Sequence, residues 1–300
     1  MSSKGTKLQL NIIKSFFISL YRPLGLAIEV SSLCNASCTM CPREELTREK
    51  KLVDFDLFKK IIFDAKKTNV DVFQLSFYGE SLMDPHLVKK IKFIYEIIPN
   101  AWVQIVTNGS LLSSDKTKEL LESNISEIRI SIEGNNSEEY NKIRRGLDYK
   151  EIVKNVKNLR EERDRNSYKT QIIVTGLHLV NTPIDILEYE RFWSQYADQV
   201  YTRNEHKLDR EIKENLYSKL LPCDMLFKHL PIFSDGSYPI CIYDWMGETN
   251  YDNIKNSSIS QAWFAKKIMF YKIMHLIGLK RKLKLCKDCT YRTNYKKIIE

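Results

Sequence analysis

Short apolar runs alternate with longer amphipathic stretches over roughly the first two thirds of the chain. The apolar runs carry few charges, which is typical of strands buried on both faces of a parallel sheet. They span residues 26–31, 72–77, 101–106, 127–132, 170–177 and 199–203. The pattern therefore predicts six strands.

Helices are predicted between these strands, because apolar residues recur there at intervals of three and four. The segment 55–67 follows Asp54, a residue type that caps helix N-termini. Further helices are predicted to begin near positions 84, 148 and 182, where a capping residue precedes a proline or a glutamate.

Repeated strand-then-helix units predict an α/β fold with a parallel sheet and right-handed crossovers. Six units are too few for a closed eight-stranded barrel, so we expect a partial (β/α)6 TIM-like barrel or an open α/β sheet. In both architectures, ligands bind at the C-terminal ends of the strands.

The pattern changes after about residue 204. Asp235-Gly236 predicts the turn of a β-hairpin over 233–238, and 258–276 predicts a helix. We therefore predict three parts: an N-terminal amphipathic helix at 1–25, a core domain at 26–210, and a small hairpin and helix domain at 211–300. The boundary is expected near 205–220.

Composition is that of a globular protein, with 43% hydrophobic and 28% charged residues among 300. The net charge of +9 suits an anionic substrate, an acidic partner or a membrane surface, without choosing among them. No run is apolar enough to span a membrane, and polar residues interrupt the signal-like segment 8–21. We expect a cytoplasmic protein with no nucleic-acid partner.

The seven cysteines are an odd number, which argues against a secreted disulfide framework. Three of them, Cys34, Cys38 and Cys41, lie in the stretch CNASCTMC just after the first predicted strand. A zinc site would need a fourth ligand, and no histidine is near. A [4Fe–4S] cluster can be held by three cysteines, which leaves one iron open to a ligand.

The CxxxCxxC pattern after a first strand resembles that of the radical SAM superfamily, and the resemblance covers roughly residues 26–203. It implies that the three cysteines hold a [4Fe–4S] cluster whose open iron binds the amino and carboxylate groups of S-adenosylmethionine (SAM). Reductive cleavage of SAM would then yield a 5′-deoxyadenosyl radical that removes a hydrogen atom from the substrate.

Other motifs strengthen this resemblance. In FYGES, Gly79 and Glu80 resemble the Gly-Glu motif that holds the methionine ammonium, although Tyr78 and Ser81 replace the usual glycine and proline. TNG, SIEG and YNKIRRG resemble further segments, the last with an arginine for the SAM carboxylate. The SAM-binding residues implied in this way are Tyr78, Gly79, Glu80, Asn108, Ser131, Arg144, Arg145 and Leu177.

Four more cysteines, Cys223, Cys241, Cys286 and Cys289, lie in the C-terminal part. Four cysteines could form a zinc ribbon. Their spacing instead resembles the SPASM/twitch domain of radical SAM enzymes, which binds auxiliary [4Fe–4S] clusters. That resemblance implies one auxiliary cluster ligated by all four, and hence two clusters in the chain.

These assignments use every cysteine, so none remains to return a hydrogen atom to the substrate. A fully ligated auxiliary cluster suits electron transfer, which implies two-electron oxidation of a hydroxyl-bearing carbon. The four-cysteine spacing looks most like that of the 2-deoxy-scyllo-inosamine dehydrogenases of aminoglycoside biosynthesis. Asp244, three residues after Cys241, is the candidate base for the hydroxyl proton, or else a residue that holds a turn.

We expect a small sugar-like or cyclitol substrate, with or without a phosphate group or a linked nucleotide. Only about 25 residues precede the first strand, too few for a leader-peptide domain. A flavodoxin- or ferredoxin-type protein is the expected reductant. The alternatives are radical modification of a peptide or protein, as in sulfatase maturation, and action on a lipid-linked glycan through the apolar, basic segments 8–21 and 263–284.

Overall fold

The computed structural model describes residues 19–179, 182–204, 222–287 and 289. Most of the predicted N-terminal helix and the predicted boundary at 205–220 lie outside these residues. Over the described part, no helix combines the length and the apolar character needed to cross a bilayer.

All six predicted strands form, and a seventh joins them in one parallel sheet. The seven are β1 (Gly25–Ile28), β3 (Val72–Gln74), β4 (Trp102–Thr107), β5 (Glu127–Ser131), β7 (Gln171–His178), β8 (Gln199–Asn204) and β9 (His229–Ile232). Their order across the sheet is β8-β7-β5-β4-β3-β1-β9, so that β8 and β9 are its two edges. This confirms the α/β class with a partial barrel.

The seventh strand changes the prediction for the C-terminal part. The turn forms as expected, because the Gly236 N–H donates to the Phe233 carbonyl at 2.9 Å. However, β9 before the turn pairs in parallel with β1, and Tyr238 after it pairs with Tyr251 and Asp252. The hairpin prediction is therefore right at the turn, across which the Phe233 N–H also donates to the Ser237 carbonyl at 3.0 Å, and wrong in its strands, since β9 pairs with β1 and is buried against the core sheet.

Helices pack between the strands in the predicted order. Those described in full are α1 (Phe55–Lys67), α2 (Leu87–Ile97), α3 (Ser114–Glu122), α4 (Ser137–Ile143), α5 (Tyr149–Arg165), α6 (Ile186–Trp193), α7 (Asp224–Lys228), α8 (Ile259–Trp263) and α9 (Lys266–Leu276). Helix α1 has the predicted bounds, and Asp54 accepts from two of its N–H groups. Helices α2 and α6 begin a few residues later than predicted.

The predicted helix 258–276 is two helices, α8 and α9, because Ala265 between them has an extended backbone. One face of α9 is buried through Ile268, Tyr271 and His275, whereas Phe270 and Leu276 on the other face are more than half exposed. The segment thus packs on the body through one face, and contact of the other with a membrane stays a prediction.

Candidate active site between two cysteine groups

The three cysteines of CNASCTMC line one cavity at the C-terminal ends of the strands. This small cavity has a volume of about 280 Å³ and also contacts Glu80, Asn108 and Ser131. We call Cys34, Cys38 and Cys41 the first cysteine site. The parallel sheet places them here because β1 ends just before them and β3, β4 and β5 end beside them.

A short antiparallel pair, β2 (Ser37–Cys38) and β6 (Arg144–Arg145), places an arginine next to the first site. Arg144 Nη1 lies 3.6 Å from Cys38 Sγ, and Arg144 Nε donates to the buried carboxylate of Glu133. Burial raises the pKa of the Cys38 thiol, and the Arg144 charge opposes that rise. Glu133 is a functional candidate that sequence analysis missed, although it lies within the SIEG motif.

Glu80 is 2% exposed and its carboxylate accepts three hydrogen bonds. The donors are the Leu82 N–H at 3.0 Å, the Thr107 hydroxyl at 2.7 Å and the Asn108 N–H at 2.7 Å. Burial raises the pKa of this carboxyl group, and the bonds from Asn108 and Thr107 oppose the rise. The carboxylate is therefore held in one orientation at the edge of the small cavity.

Only glycine fits at position 79. A Cβ there would lie 2.1 Å from the Ser31 carbonyl oxygen and 2.8 Å from that of Leu33. The neighbouring Glu80 N–H donates to the same Leu33 carbonyl at 2.8 Å. This close approach holds the Gly-Glu loop against the segment that leads from β1 to Cys34.

The remaining predicted SAM-binding residues differ in where they lie. Tyr78 and Ser131 line both the small cavity and a larger one beside it, and Leu177 lines the larger. Of the two candidate arginines, Arg144 lines both cavities, whereas Arg145 is exposed and lines neither. The geometry therefore favours Arg144 over Arg145 as a ligand-facing residue.

The other four cysteines form a second group, which we call the second cysteine site: Cys223, Cys241, Cys286 and Cys289. Burial raises the pKa of Cys223 to about 11 and that of Cys286 to about 12, and the neighbouring thiols add to both shifts. The pKa of the Cys241 thiol is likewise raised by burial and by the other three thiols. Each of these three thiols therefore lies within electrostatic range of others of the four, and the Cys289 N–H donates to the Cys286 carbonyl at 3.4 Å.

A buried histidine that sequence analysis missed lies against the second site. His275, on α9, is 2% exposed. Its Nδ1 accepts from the Cys223 backbone N–H at 3.1 Å, and its Nε2 lies 3.4 Å from Cys286 Sγ. Burial lowers the pKa of His275 to about 4. Its position in the chain, eleven residues before Cys286, gives no signal of this contact.

The larger cavity, of about 1260 Å³, lies between the two cysteine sites. Tyr78, Ser131 and Arg144 line it on the side shared with the small cavity. On the other side it is lined by residues 243–246 and by Cys289 of the second site. A molecule bound here would contact Cys289 of the second site and the residues that this cavity shares with the cavity of the first site.

Asp244 lines this larger cavity, as a base would have to. Its carboxylate accepts from the Glu248 N–H at 3.0 Å, from the Thr249 N–H at 2.8 Å and from the Thr249 hydroxyl. These bonds close the loop 244–249, so Asp244 holds the loop in shape. Its role as a base stays a prediction.

A buried ion pair connects the loop 243–249 to the core sheet. Arg48 binds both carboxylate oxygens of Glu29, just after β1, and Arg48 Nε donates to the Trp245 carbonyl at 2.9 Å. Glu29 also accepts from the Ser234 N–H at 3.2 Å and from its hydroxyl at 3.1 Å. This network fixes Trp245 at the wall of the larger cavity.

The donor sets fit iron–sulfur clusters. Each site gathers partly buried thiols, and each places a side-chain nitrogen, from Arg144 or His275, beside one sulfur. Among the described residues, no group of three or more His, Cys, Asp or Glu is arranged to hold a single metal ion.

Comparison with known proteins agrees with this geometry. A family model described as the radical SAM superfamily matches residues 28–188. A second, SPASM, described as an iron–sulfur cluster-binding domain, matches residues 223–290. The tungsten-containing aldehyde ferredoxin oxidoreductase cofactor-modifying protein of Pyrococcus furiosus is 23% identical, over 89% of this chain and 87% of its own length.

Several solved structures share the fold. BtrN in complex with AdoMet and 2-DOIA has a TM-score of 0.63 at 20% identity, over 90% of this chain and 93% of BtrN. Native anSMEcpe with bound AdoMet has a TM-score of 0.65 at 16% identity, over 84% of each chain. SuiB of Streptococcus suis bound to precursor peptide SuiA has a TM-score of 0.59 at 14% identity, over 90% of this chain and 70% of SuiB.

Proposed function

This chain belongs to the radical SAM superfamily and carries a SPASM iron–sulfur domain, and from that premise we propose that it oxidises a hydroxyl-bearing carbon of a small substrate by two electrons. Its cofactors are [4Fe–4S] clusters and SAM. The proposed substrate is a cyclitol or another sugar-like molecule. Similarity in fold to BtrN supports this class of substrate.

Residues around the small cavity would hold the cofactors. Cys34, Cys38 and Cys41 would ligate one cluster, and the fixed carboxylate of Glu80 would accept from the methionine ammonium. Arg144, already paired with Glu133, also lines the cavity and would orient the SAM carboxylate. When bound, the first cluster and SAM together would supply a 5′-deoxyadenosyl radical. The cluster at the second site would serve as the electron acceptor.

The observation that carries the proposal is the position of the larger cavity between the two cysteine sites. A substrate there has the first site on one side and Cys289 on the other. In the proposed oxidation, the carbinol C–H bond breaks and its hydrogen leaves as an atom toward the first site. The hydroxyl proton passes to a carboxylate, and the remaining electron leaves toward the second site, so that a C=O bond forms.

Asp244 is the proposed acceptor of that proton. It faces the cavity, and a carboxylate has about four lone-pair positions, of which the loop uses three. The position left over can accept from a substrate hydroxyl. Because the other three are held by the loop, the carboxylate is oriented before the substrate arrives.

Modification of a peptide is a second candidate function, favoured by the size of the larger cavity. Its volume of about 1260 Å³ exceeds the roughly 300–1,000 Å³ typical of small-ligand pockets. Similarity in fold to SuiB, solved with its precursor peptide, supports the same alternative. Either reaction requires an electron donor, and the net charge of +9 suits an acidic flavodoxin or ferredoxin.

The test uses reduced, cluster-loaded protein with SAM and 2-deoxy-scyllo-inosamine that carries deuterium on its carbinol carbons. We expect deuterium in 5′-deoxyadenosine, one SAM consumed per product, and a product three mass units lighter than the labelled substrate, through loss of one deuterium and one hydroxyl hydrogen. A product one mass unit lighter than the labelled substrate, in which a solvent hydrogen replaces the deuterium that was removed, would indicate epimerisation instead. Turnover of a peptide, with none of cyclitols or amino sugars, would establish the second candidate.

A further inference from the structure

Two hydrogen bonds determine which ring nitrogen of His275 carries the proton. The Cys223 backbone N–H points at Nδ1 over 3.1 Å. A backbone N–H can only donate, so Nδ1 accepts and bears no hydrogen. The ring is then the neutral tautomer with its hydrogen on Nε2.

That hydrogen faces a cysteine of the second site. Nε2 lies 3.4 Å from Cys286 Sγ, within the range of a hydrogen bond to sulfur. With Nδ1 already accepting, Nε2 donates and the sulfur accepts. We infer that His275 is a positioning residue that donates an N–H···S hydrogen bond to the Cys286 ligand of the auxiliary cluster and so raises that cluster's reduction potential.

The physical reason for this direction is electrostatic. A one-electron reduction adds negative charge that is shared with the ligand sulfurs, and an N–H dipole directed at one sulfur stabilises that charge. Burial strengthens the effect, since His275 is 2% exposed and solvent screens it little. The step moves one electron and no proton, because the imidazole keeps its hydrogen throughout.

This inference deepens the proposed function and rests on it. An electron acceptor must take the electron from the substrate radical, and a higher potential makes the transfer more favourable. The Tyr243 backbone N–H also donates to a ligand sulfur, that of Cys241, at 3.5 Å. His275 is therefore a side-chain donor whose contribution substitution can isolate.

The test is a redox titration of the second cluster followed by electron paramagnetic resonance. The parent protein is the full chain with Cys34, Cys38 and Cys41 replaced by Ala, so that the second cluster alone gives the signal. His275→Phe keeps an aromatic ring but removes both hydrogen bonds. His275→Gln keeps one group that can accept from the Cys223 N–H and another that can donate to sulfur. His229→Phe, which changes a partly buried histidine on β9, is the control.

In His275→Phe, we expect the reduced-to-oxidised ratio at a fixed potential to fall at least threefold, a shift of about 28 mV to more negative values at 59 mV per tenfold. His275→Gln should recover most of that shift, and His229→Phe should leave the potential unchanged. An unchanged potential in His275→Phe, or equal shifts in the Phe and Gln variants, would overturn the inference, because packing alone would then explain the residue.

If His275→Phe assembles no cluster, pulsed electron paramagnetic resonance on the parent protein with ¹⁵N-labelled histidine tests whether His275 contacts the second cluster. One imidazole nitrogen should couple to the reduced cluster, and the coupling should vanish in His275→Gln; an absent coupling refutes the inference. A parent without a second iron–sulfur signal would instead refute the proposed function itself, which iron and sulfide analysis of the parent distinguishes.

Discussion

The two cysteine sites bring thiols together from different parts of the chain. The first takes its three cysteines from a single stretch of eight residues after β1 and lines an open cavity. The second draws four from across the range 223–289 and packs against the buried face of helix α9 through His275. Beside the first lies the charged Arg144, and beside the second the neutral His275.

The difference indicates what each site is built to do. An open cavity with a fixed carboxylate and a cation suits a site that binds a charged amino acid such as the methionine part of SAM. A site with four thiols and neutral N–H donors suits a cluster that is ligated fully by protein and exchanges electrons. The predictions below test this division, from the largest expected effect to the smallest.

Replacing Cys34, Cys38 and Cys41 by Ala should abolish SAM cleavage. The protein should retain about four of its roughly eight irons, since the second site has its own ligands. Iron and sulfide analysis and 5′-deoxyadenosine release measure the two effects. The matched change, Cys286→Ala with Cys289→Ala, should leave SAM cleavage but stop product formation. Loss of both activities in both variants would contradict the division of roles.

Breaking the ion pair between Glu29 and Arg48, which links the core sheet to the loop 243–249, should have the next largest effect. Arg48→Met leaves the fully buried Glu29 carboxylate unpaired, which costs about 3–5 kcal/mol. We expect a fall in Tm of roughly 5–8 °C for a chain of 300 residues, measured by calorimetry on the cluster-loaded protein. Product formation should fall more than SAM cleavage, because Arg48 holds Trp245 at the larger cavity.

Glu138→Gln is the control for this experiment, since Glu138 pairs with Lys142 on an exposed helix surface. Its Tm should match that of the wild type. Equal losses in the two variants would show that the buried pair does not link the regions.

Glu80→Ala should weaken SAM binding by about 1.5–3 kcal/mol, or roughly 10- to 150-fold in Kd. Titration calorimetry of the reconstituted protein measures it. Thr107→Val is the matched change, because it removes one donor to the Glu80 carboxylate and leaves the carboxylate itself. We expect a smaller loss there. SAM affinity equal to that of wild type in Glu80→Ala would show that the assignment of the Gly-Glu motif is wrong.

The smallest effect concerns Lys272, on the helix that closes the second site. Burial lowers its pKa to about 7, and its Nζ lies over the Trp263 ring and donates to the Trp263 carbonyl at 3.3 Å. In the unfolded chain, where the pKa of lysine is about 10.4, Lys272 keeps its proton between about pH 7 and pH 10, whereas in the folded chain it loses it. Stability should therefore rise with pH through this window.

The slope should stay below the ~1.4 kcal/mol per pH unit that one proton sets, because the ring attracts the ammonium. Lys272→Met should flatten it, as Tm measured from pH 7 to 9 would show. A slope that persists in Lys272→Met would assign the pH dependence to other groups.

Local patterns predicted most of the fold. The six core strands and helix α1 follow from apolar runs and a capped amphipathic period, which depend on neighbours in the chain. The hairpin prediction was wrong at β9. The sequence pattern of a buried apolar strand next to a turn is the same whether the strand pairs with the following segment or with β1. The break between α8 and α9 likewise leaves no signal in the apolar pattern.

The sequence by itself determined that three thiols lie together after β1, since eight residues of chain cannot separate them. It also determined that Glu80 follows the end of a strand, where parallel sheets bind ligands. Only the tertiary structure decided which of Arg144 and Arg145 faces the cavities, that Glu29 and Arg48 join the two regions, and that His275 lies against Cys286. Each of these depends on the crossing of segments far apart in the chain, and side chains that meet in this way share no period or spacing that a sequence displays.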